Sequence, residues 1–510
     1  MRLSRYFWVV MLLEFVEPRA ARGFALLGPF APWMTAQLSY QDGYAIGGPM
    51  ALGEGYRWNI PVITYGFDPS FIAYFGTNGV AAVESAIQLL NDLPPASETG
   101  VTNYPNDSAR INFLAQEYSL YDLKSAALSL LLEQTGLARP TRSVFCLRDF
   151  SVVDGGAEYD LLMRNYDPIG VEPSAYIDAV QYQCVINVFT DGGFYRVPYD
   201  QLPSSPYFIN LFIGPVYFNL YPTSPVAEGE WESNVGEYYL GLDFDTAGGL
   251  QYLLGTNTIA WEGLIPGVRG SGTNATNFVN LALRPGVDKI TFQRLDFDAV
   301  AGRFIEITNQ YTDYYLSNNV VQRQALERSI DEPDILFSAN YCGWDVVSRS
   351  GTTNWINYAL PSGDGPGVIQ PPVVINFNQL GPSWSHYSAD DGYTTNDLSP
   401  IFGCWASFDG TTNPPVIYPM NPFTTNGTAF HLLIEPVEPF TTEFMDPALF
   451  TTDFTWNLAG KPEAVFLLQT STNLVDWINA TSITNVGGTF TFAERVVPGV
   501  PARFYRTVSQ

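Results

Sequence analysis

The side chains best suited to chemistry are scarce in this chain. Histidine occurs twice, at His386 and His431, so a site of three imidazoles cannot be built, and a Ser-His-Asp or Cys-His arrangement would have to recruit one of these two. Lysine occurs at Lys124, Lys289 and Lys461, which leaves three candidates for a Schiff base or amine nucleophile; a surface composition bias is the plainer reading of each. There is no G-x-S-x-G elbow and no phosphate-binding glycine loop. The four cysteines, Cys146, Cys184, Cys342 and Cys404, are widely spaced and contain no C-x-x-C. That excludes a zinc ribbon and suits either two disulfides of an exported protein or four buried thiols. Pairing within segments would join Cys146 to Cys184 and Cys342 to Cys404, one of three possible connectivities.

Carboxylates are plentiful, and their spacing is the remaining chemical signal. Asp243 and Asp245, then Asp296 and Asp298, form two D-x-D pairs inside matching LDFD stretches. Neither continues into the full D-x-[DN]-x-[DN]-G-x5-E calcium loop, so helix capping is the better reading of both. Asp390, Asp391, Asn396 and Asp397 form one acidic loop cluster, a solvated turn or a weak calcium site. A glycosidase pair needs two carboxyl groups about 5 to 9.5 Å apart, a tertiary property that spacing in the chain does not report.

The element around which the rest is arranged is Ser119 to Ala138, SLYDLKSAALSLLLEQTGLA. Ser119 with Asp122 has the [ST]-x-x-[DE] form of a capping box, Gly136 provides a left-handed stop, and the leucines leave almost no polar face, so a buried helix is expected. Upstream, WNIPVITYGF from Trp58 predicts a strand, followed by a helix from Val80 to Leu93. Ala179 to Thr190 alternates as a strand, and GLDFDTAGGLQYLLG predicts a helix capped by Asp243 or Asp245 and closed by Gly255. Asn319 to Ser329 predicts one more helix. Strands at Val373 to Phe377 and Ala429 to Ile434 then suggest an irregular β domain, and Ala464 to Thr470, Trp477 to Asn479, Thr489 to Glu494 and Arg503 to Val508 suggest a compact β module.

The order strand, helix, strand, buried helix ending in Gly-Leu, and later D-x-x-G-G-L-x-Y-L-L-G resembles the matrixin type of metzincin metalloprotease. The resemblance implies H-E-x-x-H-x-x-G-x-x-H on the buried helix, with zinc held by three imidazoles and a glutamate activating water. With Gly136 on the motif glycine, Ser129, Leu130, Glu133 and Arg139 stand where His, Glu, His and His belong, so the resemblance implies the fold without the zinc chemistry. An unrelated α+β domain explains the same pattern equally well. The last 57 residues, with STNLVDW, a Gly-Gly turn and RFYR, resemble a β-sandwich found at the C-termini of large secreted bacterial proteins, which implies export and architecture.

Composition points the same way. Asp+Glu 51 against Lys+Arg 24 gives a net charge of −27, which repels phosphate backbones and anionic membranes and argues against a nucleic-acid partner. Aromatic and charged residues each make up 15%, with 44 Gly and 37 Pro, a profile of β-rich, turn-rich extracellular protein. After residue 25 no apolar run reaches the ~18 residues of a membrane span. The expected organisation is a multidomain chain: a signal peptide at 1–25 ending in Gly23-Phe24-Ala25, a metzincin-like α+β domain at 26–255, a mixed linker and helical extension at 256–335, an irregular β domain at 336–453, and a β-sandwich at 454–510. The expected function is a secreted, non-catalytic structural or interaction protein without cofactor or catalytic metal, whose partners are itself, other extracellular proteins or glycans. The alternatives are a carboxylate-based glycan hydrolase, an altered-chemistry protease relative, and a glycan-binding protein using its Tyr and Trp surface.

Overall fold

The structure, a computed structural model, describes residues 22–35, 38, 40, 47–153, 156–190, 193–198, 208–215, 235–340, 352–357, 367–377, 379, 404–411, 414–418, 443–450, 453–459, 465–471, 478–484, 489–495 and 504–509. The chain is β-rich and its strands form many small sheets. The expected strand at Ala429 to Ile434 and the acidic loop at Asp390, Asp391, Asn396 and Asp397 lie outside the described residues, as do His386, His431 and Lys461.

The core is a six-stranded sheet built on Val62–Phe67. This strand pairs in parallel with Thr291–Arg294 on one side and Ile335–Ser338 on the other. Ile335–Ser338 pairs in parallel with Gly367–Asn376, whose far edge carries Thr352–Asn357 antiparallel. Its central strands are apolar and almost wholly buried, as a parallel sheet covered on both faces must be. The boundaries expected at 255 and 335 therefore run through one hydrogen-bonded sheet. Its strands are local in structure but far apart in sequence, and only tertiary pairing joins them.

A long helix, Pro69–Asn91, follows the central strand. Asp68 caps it, accepting from the Ser70 amide at 2.7 Å, and Pro69 occupies the first turn. The helix is interrupted at Gly76 (φ 61°), which accounts for the sequence marking only its second half. Its buried stripe of Phe71, Phe75, Val83, Ile87 and Leu90 packs into an aromatic cluster with Phe67, Phe337, Phe377, Trp405 and Tyr418.

The central helix is shorter than expected, Leu123–Gln134. Ser119 sits at φ 53° and is not the cap. Asp122 is, accepting from the amide and hydroxyl of Ser125 at 2.9 and 2.6 Å. The preceding Leu120–Asp122 is a strand, parallel to Cys404–Ser407. Gly136 does turn left-handed (φ 108°), where a Cβ would run into the Tyr56 carbonyl oxygen. The third helix, Phe244–Leu254, is capped by Asp243 and closed by Gly255 as expected.

A second, five-stranded sheet runs in the order Ala260–Gly263, Leu281–Arg284, Ile307–Ser317, Val320–Ile330, Val268–Gly270. Here the helix expected at Asn319 to Ser329 is instead a strand. Asn318 and Asn319 both take positive φ (50° and 60°) and form a two-residue hairpin turn. Beyond it Gln324, Leu326, Arg328 and Ile330 point inward while Arg323 and Ala325 are exposed, so tertiary alternation overrides the helical propensity of VVQRQALERSI.

Near the N-terminus, Phe24–Gly28 is a fully buried strand paired with Leu137–Ala138 and Asn165–Tyr166. Cleavage after Ala25 would strip Phe24 and Ala25 from the core, so the boundary expected at residue 25 does not fit this strand. At the other end, two three-stranded antiparallel sheets form: 443–450, 453–459 and 489–495; and 465–471, 478–484 and 504–509. Each of the four strands expected in the C-terminal module overlaps one of these strands, while Ala464, Trp477 and Arg503 lie outside the described residues.

Candidate functional site

On the central helix, Ser129, Leu130 and Glu133 are half-buried, whereas Ala127, Leu128, Leu131 and Leu132 are sealed. One helical stripe thus collects the three positions, and Arg139, also half-buried, follows the Gly136 turn. Arg139 donates through Nε to the Thr141 hydroxyl at 2.8 Å. The stripe presents a hydroxyl, an isobutyl group, a carboxylate and a permanent cation. A hydrolytic zinc needs three deprotonated protein ligands and a base beside its water, and these four side chains do not provide them.

The first D-x-D pair lies at the start of the Phe244–Leu254 helix. Asp243 caps it, accepting from the Thr246 amide at 2.7 Å. Asp245 accepts from the Asp178 amide, also at 2.7 Å, and Asp178 and Ala179 form a turn in which both have positive φ (46° and 68°). Arg22 lies 3.5 Å above the Phe244 ring. Burial, and then the neighbouring Asp243 carboxylate, push the Asp245 carboxyl up to about 7. Asp122, sealed at the start of the central helix, is likewise pushed up to about 6 by burial. Asp243 and Asp245 are 0% and 1% exposed, so substrate cannot reach either. Among the described residues no group of three or more His, Cys, Asp or Glu side chains is arranged to hold a metal ion.

The second pair has a different role. Asp298 accepts from the amides of Val300 and Ala301 at 2.8 and 3.0 Å across a hairpin turn, and those bonds hold its carboxyl below the usual range. It caps a turn between two strands, not the helix the sequence suggested. Cys146, Cys184 and Cys404 are free thiols, so the Cys146–Cys184 bridge is not formed. Cys146 belongs to a separate two-stranded sheet from the one holding Cys184. Cys342 lies outside the described residues, and Cys404 is not bridged to it.

A crevice of about 40 Å³ opens among Leu93, Ala96, Tyr104, Leu250, Gln251 and Lys289. It has room for a few waters, far below the ~300 Å³ at which small-molecule sites begin.

The most unusual chemistry lies in the two faces of the five-stranded sheet. Beneath it, Arg57 pairs with Glu262 at 2.7 Å and donates to the carbonyls of Leu253, Thr258 and Arg284. Arg284 grips Asp313 with two bonds of 3.0 and 3.2 Å, and Gln324 adds a third donor at 2.7 Å. Arg328 reaches Asp334 at 2.6 Å, and Asp334 also accepts from the amide and hydroxyl of Thr64, so the ionic layer ties this sheet to the core strand. The opposite face carries an apolar row at one end, beside polar side chains that include Thr308, Gln310, Thr312, Arg323 and Ser329. Trp261, Leu283, Leu316 and Val321 pair in one row across four strands, and Trp261, Leu283 and Val321 are 40%, 37% and 61% exposed. Leu281 and Tyr314 extend the patch, at 44% and 50%. An apolar row outside with ion pairs inside reverses the usual arrangement. The sequence carried a signal for it: AWEG and LALR alternate, and Asn-Asn is a hairpin turn once the following stretch is read as a strand.

No protein-family model, no curated protein and no solved structure matches this chain. No described helix is long and apolar enough to cross a membrane.

Proposed function

We propose that this chain is a secreted, non-catalytic interaction protein that works through the outward face of its five-stranded sheet. The observation that carries the reading is the row of Trp261, Leu283, Leu316 and Val321, in which all but the half-buried Leu316 are open to solvent, above a layer of buried ion pairs. Keeping those apolar groups wet has a cost, about 25 cal/mol for each Å² of surface that burial would remove from water. A partner that covers them recovers it.

Descent from a metzincin frame rests on the order of elements in the sequence, with Ser129, Leu130, Glu133 and Arg139 as its vacated motif positions. Restoring the motif with Ser129→His, Leu130→Glu, Glu133→His and Arg139→His should produce stoichiometric zinc binding if the frame is inherited; a protein that folds and binds none points to an unrelated α+β domain.

A second reading, glycan binding, rests on Trp261 and Tyr314, both exposed on the same sheet face. The aliphatic majority of the row favours a protein partner, because sugars need polar side chains between the aromatic platforms. Turnover tests the non-catalytic part. Purified protein should leave peptide and polysaccharide libraries uncut, and cleavage that a chelator or a single carboxylate substitution abolishes would overturn it.

A further inference from the structure

The outward face differs from the rest of the chain in charge as well as in polarity. Its charged side chains are Arg269, Arg323 and Glu327, and Arg269 already pairs with Glu327 at 3.3 Å. The face therefore bears one carboxylate and two guanidinium groups in a chain whose net charge is −27. Two copies that met on an acidic surface would press carboxylates together and would have to desolvate them. Here they can meet on apolar rows.

The dimensions set the scale. Two strands of 11 residues are flanked by strands of 4, 4 and 3, and at about 3.3 Å per residue and about 4.8 Å between strands they cover on the order of 500 Å². That is the size of a small, concentration-dependent contact, below the ~800 Å² that one partner contributes to a standard interface. The apolar row occupies the end of this area beside the Asn318-Asn319 turn.

We infer that two copies of this chain associate sheet against sheet through this face. The inference rests on the interaction reading above and names the partner. Face-to-face packing at about 10 Å would give both apolar rows the cover that a β-sandwich provides within one chain. Because the rest of each copy is strongly acidic, long-range repulsion opposes the pairing and salt screens it. Association should therefore strengthen as ionic strength rises, the reverse of a contact held by opposite charges.

The experiment is sedimentation of the full chain over a hundredfold range of concentration, at about 0.05 and 0.5 M salt. The wild type should move from 56.5 kDa toward twice that mass, at lower concentration in high salt. Leu283→Asp and Val321→Asp should each weaken association tenfold or more with unchanged circular dichroism, while Val300→Asp, at a hairpin tip that is 99% exposed and off this face, should not. A wild type that stays monomeric throughout, or a dimer that neither variant weakens, overturns the inference. If the monomer is instead retarded on a polysaccharide gel through Trp261, the face belongs to a glycan. That outcome also overturns self-association but leaves the interaction reading standing, whereas substrate turnover would remove the reading itself.

Discussion

Replacing Asp245 with Asn removes a buried charge, together with its attraction to Arg22 and an acceptor for the Gly23 amide. The Asn side-chain oxygen can still accept from the Asp178 amide, the bond that Asp245 makes at 2.7 Å, and the volume is unchanged. In the wild type this carboxyl rises from 3.8 to about 7 on folding. Its folded value lies above its unfolded value, so the native state holds the extra proton between about pH 4 and 7, and stability falls as pH rises through that window. Three units at 1.36 kcal/mol each set a ceiling of about 4 kcal/mol above pH 7. The neighbouring Asp243 carboxylate adds to the rise that burial causes. Asp245→Asn should therefore be about 2–4 kcal/mol more stable than wild type at pH 8, a gain that shrinks to about 1 kcal/mol or less at pH 4.5. Urea unfolding of both proteins at pH 4.5, 6 and 8 measures this, and subtracting the two curves cancels the general repulsion of an acidic chain. Parallel curves, or a variant that is less stable at every pH, would refute the assignment of that buried proton.

Further outcomes follow from the same layout. Arg284→Met leaves Asp313 and Gln324 buried without their cation and should cost about 3–5 kcal/mol in urea unfolding, and adding Asp313→Leu should recover most of it. Burial pushes the Cys146 thiol up to about 12, so a maleimide should label it only after unfolding, and mass mapping without reductant should find Cys146, Cys184 and Cys404 unbridged. N-terminal sequencing of exported protein should find its first residue at or before Arg22, because Arg22 stacks on Phe244 and Phe24 begins a buried strand.

What could be read from the chain was local. The leucine-rich core helix, its Gly136 stop, the Asp243 cap and the C-terminal strands all announce themselves within a dozen residues, because capping, turns and periodicity are short-range effects. What the chain concealed was pairing at a distance. Leu120–Asp122 read as helix because LYD precedes a leucine run, yet its partner is Cys404–Ser407. The core sheet joins Val62–Phe67 to Thr291–Arg294 and Ile335–Ser338, and no local pattern names those partners. Arg57, Arg284 and Arg328 look like surface residues in any composition count, and it is their buried carboxylate partners that make them core. The outward face is hidden in the sequence for a related reason: the helical propensity of Asn319 to Ser329 masks the strand that completes the row through Val321.

A working interaction face requires that the Trp261, Leu283 and Val321 row be covered when the protein associates. Hydroxyl-radical footprinting read by mass spectrometry reports that coverage residue by residue. As protein concentration rises, oxidation at Trp261, Leu283, Tyr314 and Val321 should fall together, while Val300 and Ile478, 99% and 71% exposed, keep their rates and serve as internal references. Constant oxidation along the row at all concentrations, or protection that develops on another surface, would contradict it.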